Sequence, residues 1–213
     1  MISGRGTNLQ AIIDACESPD FPAEIAIVIS NRPNAGGLDR AKSAGLNTLV
    51  IDHKDFGKGE EGRSAFEAPL TAALEDAGVD LICAAGFMRL TTKNFTTKWR
   101  GRFINIHPSL LPAFKGLNVH ERMIEQGVKV AGCTVHFVSA EMDSGAIIGQ
   151  AALAVAPADT AETLAERILV LEHQLYPACI RLIAEGGVKL ASNGRAALSP
   201  ALTPDATIVF PAL

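Results

Sequence analysis

The sequence predicts an α/β protein with a Rossmann-like, mainly parallel sheet, flanked by helices and continued by an antiparallel C-terminal extension. In the first 105 residues, apolar β-branched runs alternate with helical segments of about 10 to 17 residues, and this alternation is typical of right-handed βαβ units. After residue 105, two long apolar runs are separated only by the short stretch 139–145, which indicates an antiparallel pair.

The first half of the chain alternates helices and strands. Leu9, Ile12, Ile13 and Cys16 recur at the i, i+3, i+4 and i+7 spacing of a helix over residues 8–17. The run 24–30 is rich in β-branched residues and predicts a strand buried on both faces. By the same criteria the sequence predicts helices at 36–44, 61–77 and 91–99, and strands at 47–52, 79–84 and 103–106.

The second half begins with a loop rich in proline and glycine, at 108–116. The pattern then predicts a helix at 119–126, strands at 129–138 and 146–156, and a long helix at 161–185. Pro177 is expected to end or kink that helix, because proline lacks the N–H of the helical ladder. The remainder is rich in alanine and proline, so we expect one domain at 1–190 and a loosely attached tail at 191–213.

Composition excludes several classes of protein. The chain has 213 residues with 19 basic and 23 acidic side chains, a net charge of −4, whereas a nucleic-acid-binding protein carries a basic stripe. No run approaches the roughly 18 apolar residues of a transmembrane helix, and no signal peptide is evident. The histidines and cysteines show no metal-binding spacing. We therefore expect a cytoplasmic protein without a metal, a membrane or a nucleic-acid partner.

Three segments contain residues suited to chemistry. Ser3-Gly4-Arg5-Gly6-Thr7-Asn8 precedes a helix, and the free N–H groups of a helix N-terminus favour an anion. Leu9 stands where a dinucleotide-binding fingerprint has its third glycine, and no acidic residue follows the strand at 24–30. The loop therefore suits a single phosphate better than a pyrophosphate, although a plain tight turn remains the alternative.

The second and third segments contain an amide, an imidazole and a carboxylate. Asn105 and His107 lie two apart at the end of a predicted strand, where an amide can stabilise an oxyanion and an imidazole can move protons. A helix cap and a histidine bonded to backbone are the alternative. Asp143 becomes functional only if the fold places it beside His107; otherwise it is a solvated turn residue. His136 fits a core position and the same crevice equally well.

Five segments together resemble one enzyme family. They are SGRGTNLQAII, AGFMRL, INIHPSLLPAFKG, GCTVHFV with the following Asp143-Ser144-Gly145, and LEHQLYP. Over residues 2–189 the chain resembles the phosphoribosylglycinamide formyltransferases of purine synthesis. The resemblance implies the formyltransferase fold and direct transfer of a formyl group from the co-substrate 10-formyltetrahydrofolate to the glycine amine of glycinamide ribonucleotide. It also implies a monomer or weak homodimer.

The same resemblance implies a role for each matching residue. Asn105 and a protonated His107 stabilise the oxyanion of a tetrahedral intermediate, and Asp143 assists proton transfer. The residues implied to bind the ribonucleotide are Gly6, Thr7, Asn8 and Glu172, the last of which holds the glycine amino group. The residues implied to bind folate are Arg63, Met88, Arg89, Leu90, Thr91, Asn105, Ser139, Ala140, Glu141, Met142 and Asp143.

Two departures from the family pattern modify these expectations. Some relatives have a polar or basic residue three positions before the glutamate, where this chain has Leu169, so we expect the phosphate to depend more on the N-terminal loop. Relatives have a full strand before the glycine loop, of which about two residues stand here. Either the start lies further upstream or the strand is shortened, and a missing strand is expected to weaken the anchor of the loop.

Three other functions compete with this interpretation. Formyltetrahydrofolate hydrolase shares the Asn, His and Asp trio but normally has an additional N-terminal regulatory domain, which does not fit this length. Methionyl-tRNA formyltransferase shares SLLP but adds a C-terminal nucleic-acid-binding domain, which fits neither the length nor the acidic charge. A nucleotide-binding module without catalysis needs the glycine loop and not the trio.

Overall fold

A computed structural model describes residues 1–199 of the chain. The elements run in the order α1 (Thr7–Cys16), β1 (Val28–Ser30), α2 (Gly37–Ser43), β2 (Thr48–Val50), a 3-10 helix (His53–Phe56), α3 (Gly59–Asp76), β3 (Ile82–Ala84), α4 (Lys93–Lys98), β4 (Phe103–His107), α5 (Val119–Glu125), β5 (Val130–Phe137), β6 (Ile147–Ala154), α6 (Ala161–Ala184), β7 (Val188–Leu190) and β8 (Ala196–Leu198).

The strands of the central sheet follow the predicted topology. β1 pairs in parallel with β2, and β3 pairs in parallel with β4. β5 and β6 then extend the β3–β4 pair as antiparallel strands. Residues 1–3 connect the two parallel pairs, since Ile2 bridges to Ser30 in parallel and Met1 bonds to Cys83 and Ala85. The predicted parallel sheet with an antiparallel extension is confirmed.

Helices cover both faces of this sheet, so its interior strands are apolar on both sides. On one face α1 and α6 pack over a core that includes Leu9, Ile12, Ile104, Val135, Tyr176 and Ile180. On the opposite face α3 and α4 pack over a core that includes Phe66, Leu70, Ile82, Phe95 and Phe103. Alternate residues of β4 thus enter different cores, as the two-residue period of a strand requires.

Helix α6 runs without interruption from Ala161 to Ala184 with Pro177 inside it, so the expectation that Pro177 ends the helix is wrong. Proline in a helix interior costs about 3 kcal/mol. Tyr176 and Ile180, on either side of Pro177, are both buried, and burial of such side chains contributes roughly 1.5–3 kcal/mol each. The Tyr176 hydroxyl also donates to the carbonyl of Ala84 at 2.9 Å. Tertiary packing therefore outweighs the local cost of the proline.

Two other expectations need correction. The strands predicted at 24–30 and 79–84 are shorter, Val28–Ser30 and Ile82–Ala84, because their first residues face a groove instead of a neighbouring strand. The tail expected to begin at 191 is structured at its start, because β8 pairs with β7 across that boundary. Residues 200–213 lie outside the described part, and the division into a domain at 1–190 and a tail stays a prediction.

Within residues 1–199, the helices include none that is both long and apolar enough to cross a membrane. In the same range, histidine, cysteine, aspartate and glutamate side chains form no group of three or more that could hold a metal ion.

Candidate active site

The candidate residues collect at the carboxyl edge of the parallel strands, where open α/β sheets bind their ligands. His107 ends β4 and Asn105 lies two residues before it, so both side chains leave the strand on the same face. Residues 1–3 run parallel to β1, and therefore deliver the glycine loop to this same edge. The loop after β3, which contains residues 88–91, begins there as well.

The His107 imidazole lies between two oxygen acceptors. Its Nε2 is 3.0 Å from the carbonyl oxygen of Phe114, and its Nδ1 is 3.5 Å from Oδ2 of Asp143. Carbonyl and carboxylate oxygens only accept hydrogen bonds, so both N–H groups of an imidazolium find an acceptor here. The structure thus brings together the His107 and Asp143 side chains, the condition that the sequence left open.

His136 belongs to the same cluster and fixes the orientation of Asn105. Its Nδ1 lies 3.0 Å from the carbonyl oxygen of Phe137, which requires a proton on Nδ1 and leaves Nε2 as an acceptor. Asn105 Nδ2 donates to this Nε2 at 3.3 Å. Burial lowers the pKa of His136, which keeps the ring neutral in this acceptor role. One N–H of Asn105 is therefore committed to His136, and the other is available to a ligand.

The loop between β5 and β6 presents the Asp143 carboxylate through an uncommon backbone conformation. Asp143 has a φ of 50°, in the left-handed region that aspartate tolerates better than most residues. Its Oδ2 also accepts the N–H of Gly116 at 2.9 Å. At Gly145 an added Cβ would lie 1.6 Å from the carbonyl oxygen of Phe137. Glycine there lets the loop pass close to β5, which brings Asp143 within reach of His107.

The glycine loop places the N-terminus of α1 against that of α2. Gly6 has a φ of 72°, and a Cβ on it would lie 2.5 Å from Cα of Gly37, so the loop requires glycine at this point. No side chain caps α1 at Gly6, and the N–H groups of its first turn have no acceptor within the helix. Arg40 lies beside the loop, where its Nε donates to the Arg5 carbonyl at 3.0 Å. The arrangement suits an anion.

Asn8 connects this loop to a buried carboxylate on α6. Its Nδ2 donates to Oε2 of Glu172 at 2.6 Å, and both side chains are buried. Burial raises the pKa of Glu172, and the Asn8 hydrogen bond opposes that shift. Within residues 1–199 no cation pairs with Glu172. A buried, unpaired carboxylate is the complement of a cationic or hydrogen-bond-donating ligand.

The two segments implied to bind folate expose apolar side chains. Met88 and Leu90 are 60% and 56% exposed, and Met142 is 49% exposed. The first segment is held by Ser3, whose Oγ accepts the Met88 N–H at 2.8 Å, and by buried Glu67, which accepts the Thr92 N–H at 2.6 Å. Thr91 is half-buried beside these anchors, while Ala140 and Glu141 are exposed. In the second segment the Ser139 hydroxyl donates to the Glu141 carbonyl.

Arg63 and Arg89 form a separate basic pair, away from the His107 cluster. Arg89 lies over the Phe66 ring, 4.6 Å from its centroid. Burial lowers the pKa of Arg89, and the positive charge of nearby Arg63 lowers it further. The Nε atoms of both arginines are buried and without a partner in the described part of the chain. Two adjacent guanidinium groups with unused donors suit a carboxylate or phosphate.

Sequence reasoning missed three contributors to this site. Arg40 carried one signal, its position on the helix that follows Gly36-Gly37. Glu67 carried no signal in the sequence, because its contact with Thr92 joins residues that are 25 positions apart. The Phe114 contribution is a backbone carbonyl, which no side-chain pattern reveals.

Comparison with known proteins identifies the family of the chain. The formyl transferase family model matches residues 1–180. The phosphoribosylglycinamide formyltransferase of Haemophilus influenzae is 46% identical over 193 residues, which cover 91% of this chain and 89% of that protein. A crystal structure of glycinamide ribonucleotide transformylase 1 from Symbiobacterium toebii is 49% identical, with a TM-score of 0.87 over 92% of this chain and 91% of that one.

A longer relative is equally similar. The trifunctional purine biosynthetic protein adenosine-3 of Bos taurus is 48% identical over 195 residues, 92% of this chain. The chain spans only 19% of the length of that relative. Because the family model covers most of the chain and a relative of similar length is 46% identical, the chain belongs to the formyl transferase family.

Proposed function

We propose that this chain transfers a formyl group from 10-formyltetrahydrofolate to the amine of glycinamide ribonucleotide, a step of purine biosynthesis. The observation that carries the proposal is the His107–Asp143 contact at 3.5 Å beside Asn105, in a chain 46% identical to a phosphoribosylglycinamide formyltransferase. The cluster joins a donor for an oxyanion to groups that move protons, as direct acyl transfer requires.

The first step is attack of the substrate amine on the formyl carbon. A C–N bond forms, the carbonyl π electrons move to oxygen, and a tetrahedral oxyanion results. The free N–H of Asn105 donates to this oxyanion together with the Nδ1–H of protonated His107, whose contact with Asp143 is long, at 3.5 Å, and can be shared with the substrate. Asn105 is preorganised for the task because its other N–H is held by His136 at 3.3 Å. Losing one such donor typically costs about 100- to 1000-fold in rate.

The second step expels the folate nitrogen. The attacking nitrogen loses a proton, the bond between the formyl carbon and the folate nitrogen breaks, and that nitrogen gains a proton. Asp143 assists this transfer through an ordered water and His107. Its Oδ2 is occupied by Gly116 and His107, whereas its Oδ1 has no hydrogen bond within the described residues and lies 4.0 Å from His136. This geometry leaves Oδ1 available to a water.

The ribonucleotide binds between the glycine loop and α6. Its phosphate accepts hydrogen bonds from the first-turn N–H groups at Gly6, Thr7 and Asn8, with Arg40 as a neighbouring cation. Leu169 has no polar group to offer the phosphate, and Arg40 supplies a positive charge beside it instead. The substrate amine donates to the buried carboxylate of Glu172.

The folate binds across the two exposed segments. The apolar side chains of Met88, Leu90 and Met142 face the pterin, while the backbone of 88–91 and 139–143 reads its polar edge. The paired guanidinium groups of Arg63 and Arg89 suit the acidic end of the co-substrate. We also propose a cytoplasmic monomer or weak homodimer, with residues 1–190 as the transferase domain.

The test is an assay of the purified chain with 10-formyltetrahydrofolate, with and without glycinamide ribonucleotide. We expect formylated ribonucleotide in amounts equal to the tetrahydrofolate released. Formate release without formylated ribonucleotide would instead identify a hydrolase. Ligand binding without turnover, with any formyl donor, would identify a binding module.

A further inference from the structure

Residues 114–117, which we call the bridging segment, contact both His107 and Asp143 through their backbone. The carbonyl oxygen of Phe114 lies 3.0 Å from His107 Nε2. The N–H of Gly116 donates to Asp143 Oδ2 at 2.9 Å, and this same oxygen lies 3.5 Å from His107 Nδ1. The orientation of the imidazole and the carboxylate therefore depends on the conformation of the bridging segment.

Regular secondary structure does not support the bridging segment. Within residues 1–199 it makes no backbone–backbone hydrogen bond. Phe114, at its start, has a φ of 54°, and Asn118, which follows it, has a φ of 53°. This left-handed region is unfavourable for a bulky residue such as phenylalanine. A backbone in such a region persists only where its surroundings hold it there, so tertiary contacts must set the conformation of the segment.

Arg122 on α5 supplies these contacts. Its Nη1 donates to the carbonyl of Lys115 at 2.7 Å and to that of Leu117 at 3.4 Å. Its guanidinium carbon lies 5.5 Å from the centroid of the Phe114 ring. Hydrogen bonds from a charged donor are stronger than neutral ones, and a guanidinium is attracted to an aromatic face. One side chain thus contacts three of the four residues of the bridging segment.

A second contact joins the bridging segment to the loop of Asp143, but it is more exposed. Lys115 Nζ donates to the Ser144 hydroxyl and lies 3.7 Å from Glu141, whose side chain is 79% exposed. Exposed ion pairs contribute little, because solvent screens them and both long side chains must be ordered. The conformation of the segment therefore depends mainly on Arg122.

We propose that Arg122 is a positioning residue for formyl transfer, which holds the bridging segment where its backbone orients His107 and Asp143. The inference rests on the proposed function and adds to it a residue that acts on the catalytic side chains through this backbone. Misplacing a reacting group by about 1 Å can cost roughly 100-fold in rate, so loss of Arg122 should lower kcat. The ribonucleotide binds at the glycine loop and α6, so its KM should change little.

The experiment compares the native chain with Arg122→Gln and with Arg100→Gln. The second variant is the matched control, because it makes the same chemical change at an exposed arginine that follows α4. We expect Arg122→Gln to lower kcat about 10- to 100-fold and to leave the KM for the ribonucleotide within about threefold of native. Hydrogen exchange of the Gly116 amide, measured without substrates, should accelerate at least ~10-fold. Arg100→Gln should match the native chain in each measurement.

Native kcat in Arg122→Gln would overturn the proposal, and so would unchanged exchange at Gly116. Faster exchange spread equally over β5 and α6 would also overturn it, because it would indicate a general loss of stability. If Arg122→Gln does not fold, Arg122→Lys, which keeps the charge but not the planar fork, is judged by the same criteria. If the native chain transfers no formyl group, the proposed function fails, whereas exchange at Gly116 still supports or refutes the action of Arg122 on the bridging segment.

Discussion

Replacing Glu172 with glutamine is expected to change substrate binding and protein stability in opposite directions. Glutamine has the same shape, and its amide oxygen can still accept the Asn8 hydrogen bond, which is 2.6 Å long in the native chain. The substitution removes the negative charge of a side chain that is 7% exposed and replaces one acceptor oxygen with an NH2 donor. Glu172→Gln is therefore expected to weaken ribonucleotide binding and to stabilise the free protein.

Both magnitudes follow from the environment of the carboxylate. A hydrogen bond to a charged group is worth about 1.5–3 kcal/mol, so its loss raises the KM for the ribonucleotide roughly 10- to 150-fold. The KM for the folate changes little. Burial of a carboxylate without a cation is costly, and we expect a gain on the order of 1 kcal/mol on removing the charge. For a domain of this size that gain raises Tm by roughly 2–4 °C.

The pH dependence gives a sharper test. Burial raises the pKa of Glu172 in the folded chain above its ordinary value of 4.5, so the folded state holds this proton more tightly than the unfolded state. Native stability attributable to Glu172 therefore falls as pH rises from 4.5 through the folded pKa. The Tm advantage of Glu172→Gln should exist above this window and vanish below it. An unchanged KM for the ribonucleotide, or a lower Tm at pH 8, would refute this reasoning.

Three further predictions concern the catalytic cluster and the N-terminus. Asn105→Ala should lower kcat by about 100- to 1000-fold through loss of one oxyanion donor; steady-state kinetics that retain native kcat would contradict this. Asp143→Asn should lower kcat by about 100- to 10,000-fold with an unchanged circular dichroism spectrum, and turnover within tenfold of native would exclude its role. Because the Met1 amine has a pKa of about 6 when folded and 8.0 otherwise, the unfolded state binds the extra proton. Stability in urea should then rise by about 2 kcal/mol between pH 6 and pH 8, and acetylation of the amine should abolish the rise.

Much of the fold was predictable from periodicity, because helices and strands here bury regular apolar faces. α1 and β5 differ from their predicted bounds by a single residue at each end. The exceptions share one cause, tertiary context that a local pattern does not contain. Pro177 sits in a helix that the core holds in place, and residues 24–27 have a strand-like composition without a strand partner on the groove side.

The sequence was sufficient to predict which side chains form the candidate site, but not which of them contact each other. Asn105, His107 and Asp143 have chemistry that a sequence displays, but their proximity depends on an antiparallel pairing between β4 and β5. That pairing places His136 opposite Asn105, and no local pattern distinguishes this histidine from a core residue. The burial of Glu172 was equally hidden, since a glutamate beside a histidine on a helix ordinarily faces solvent.

The position of Glu172 depends on how α6 is attached to the sheet. The Tyr176 hydroxyl donates to the carbonyl of Ala84 at 2.9 Å and lies 3.4 Å from that of Ile104. Glu172 lies one turn before Tyr176, on the same face of the helix. Ile104 directly precedes Asn105, so this buried hydroxyl links the helix that carries Glu172, proposed to bind the substrate amine, to the strand that carries Asn105, proposed to bind the oxyanion. Since direct transfer requires the amine and the formyl carbon to approach within about 3–3.5 Å, the attachment of α6 to the sheet is part of the catalytic geometry.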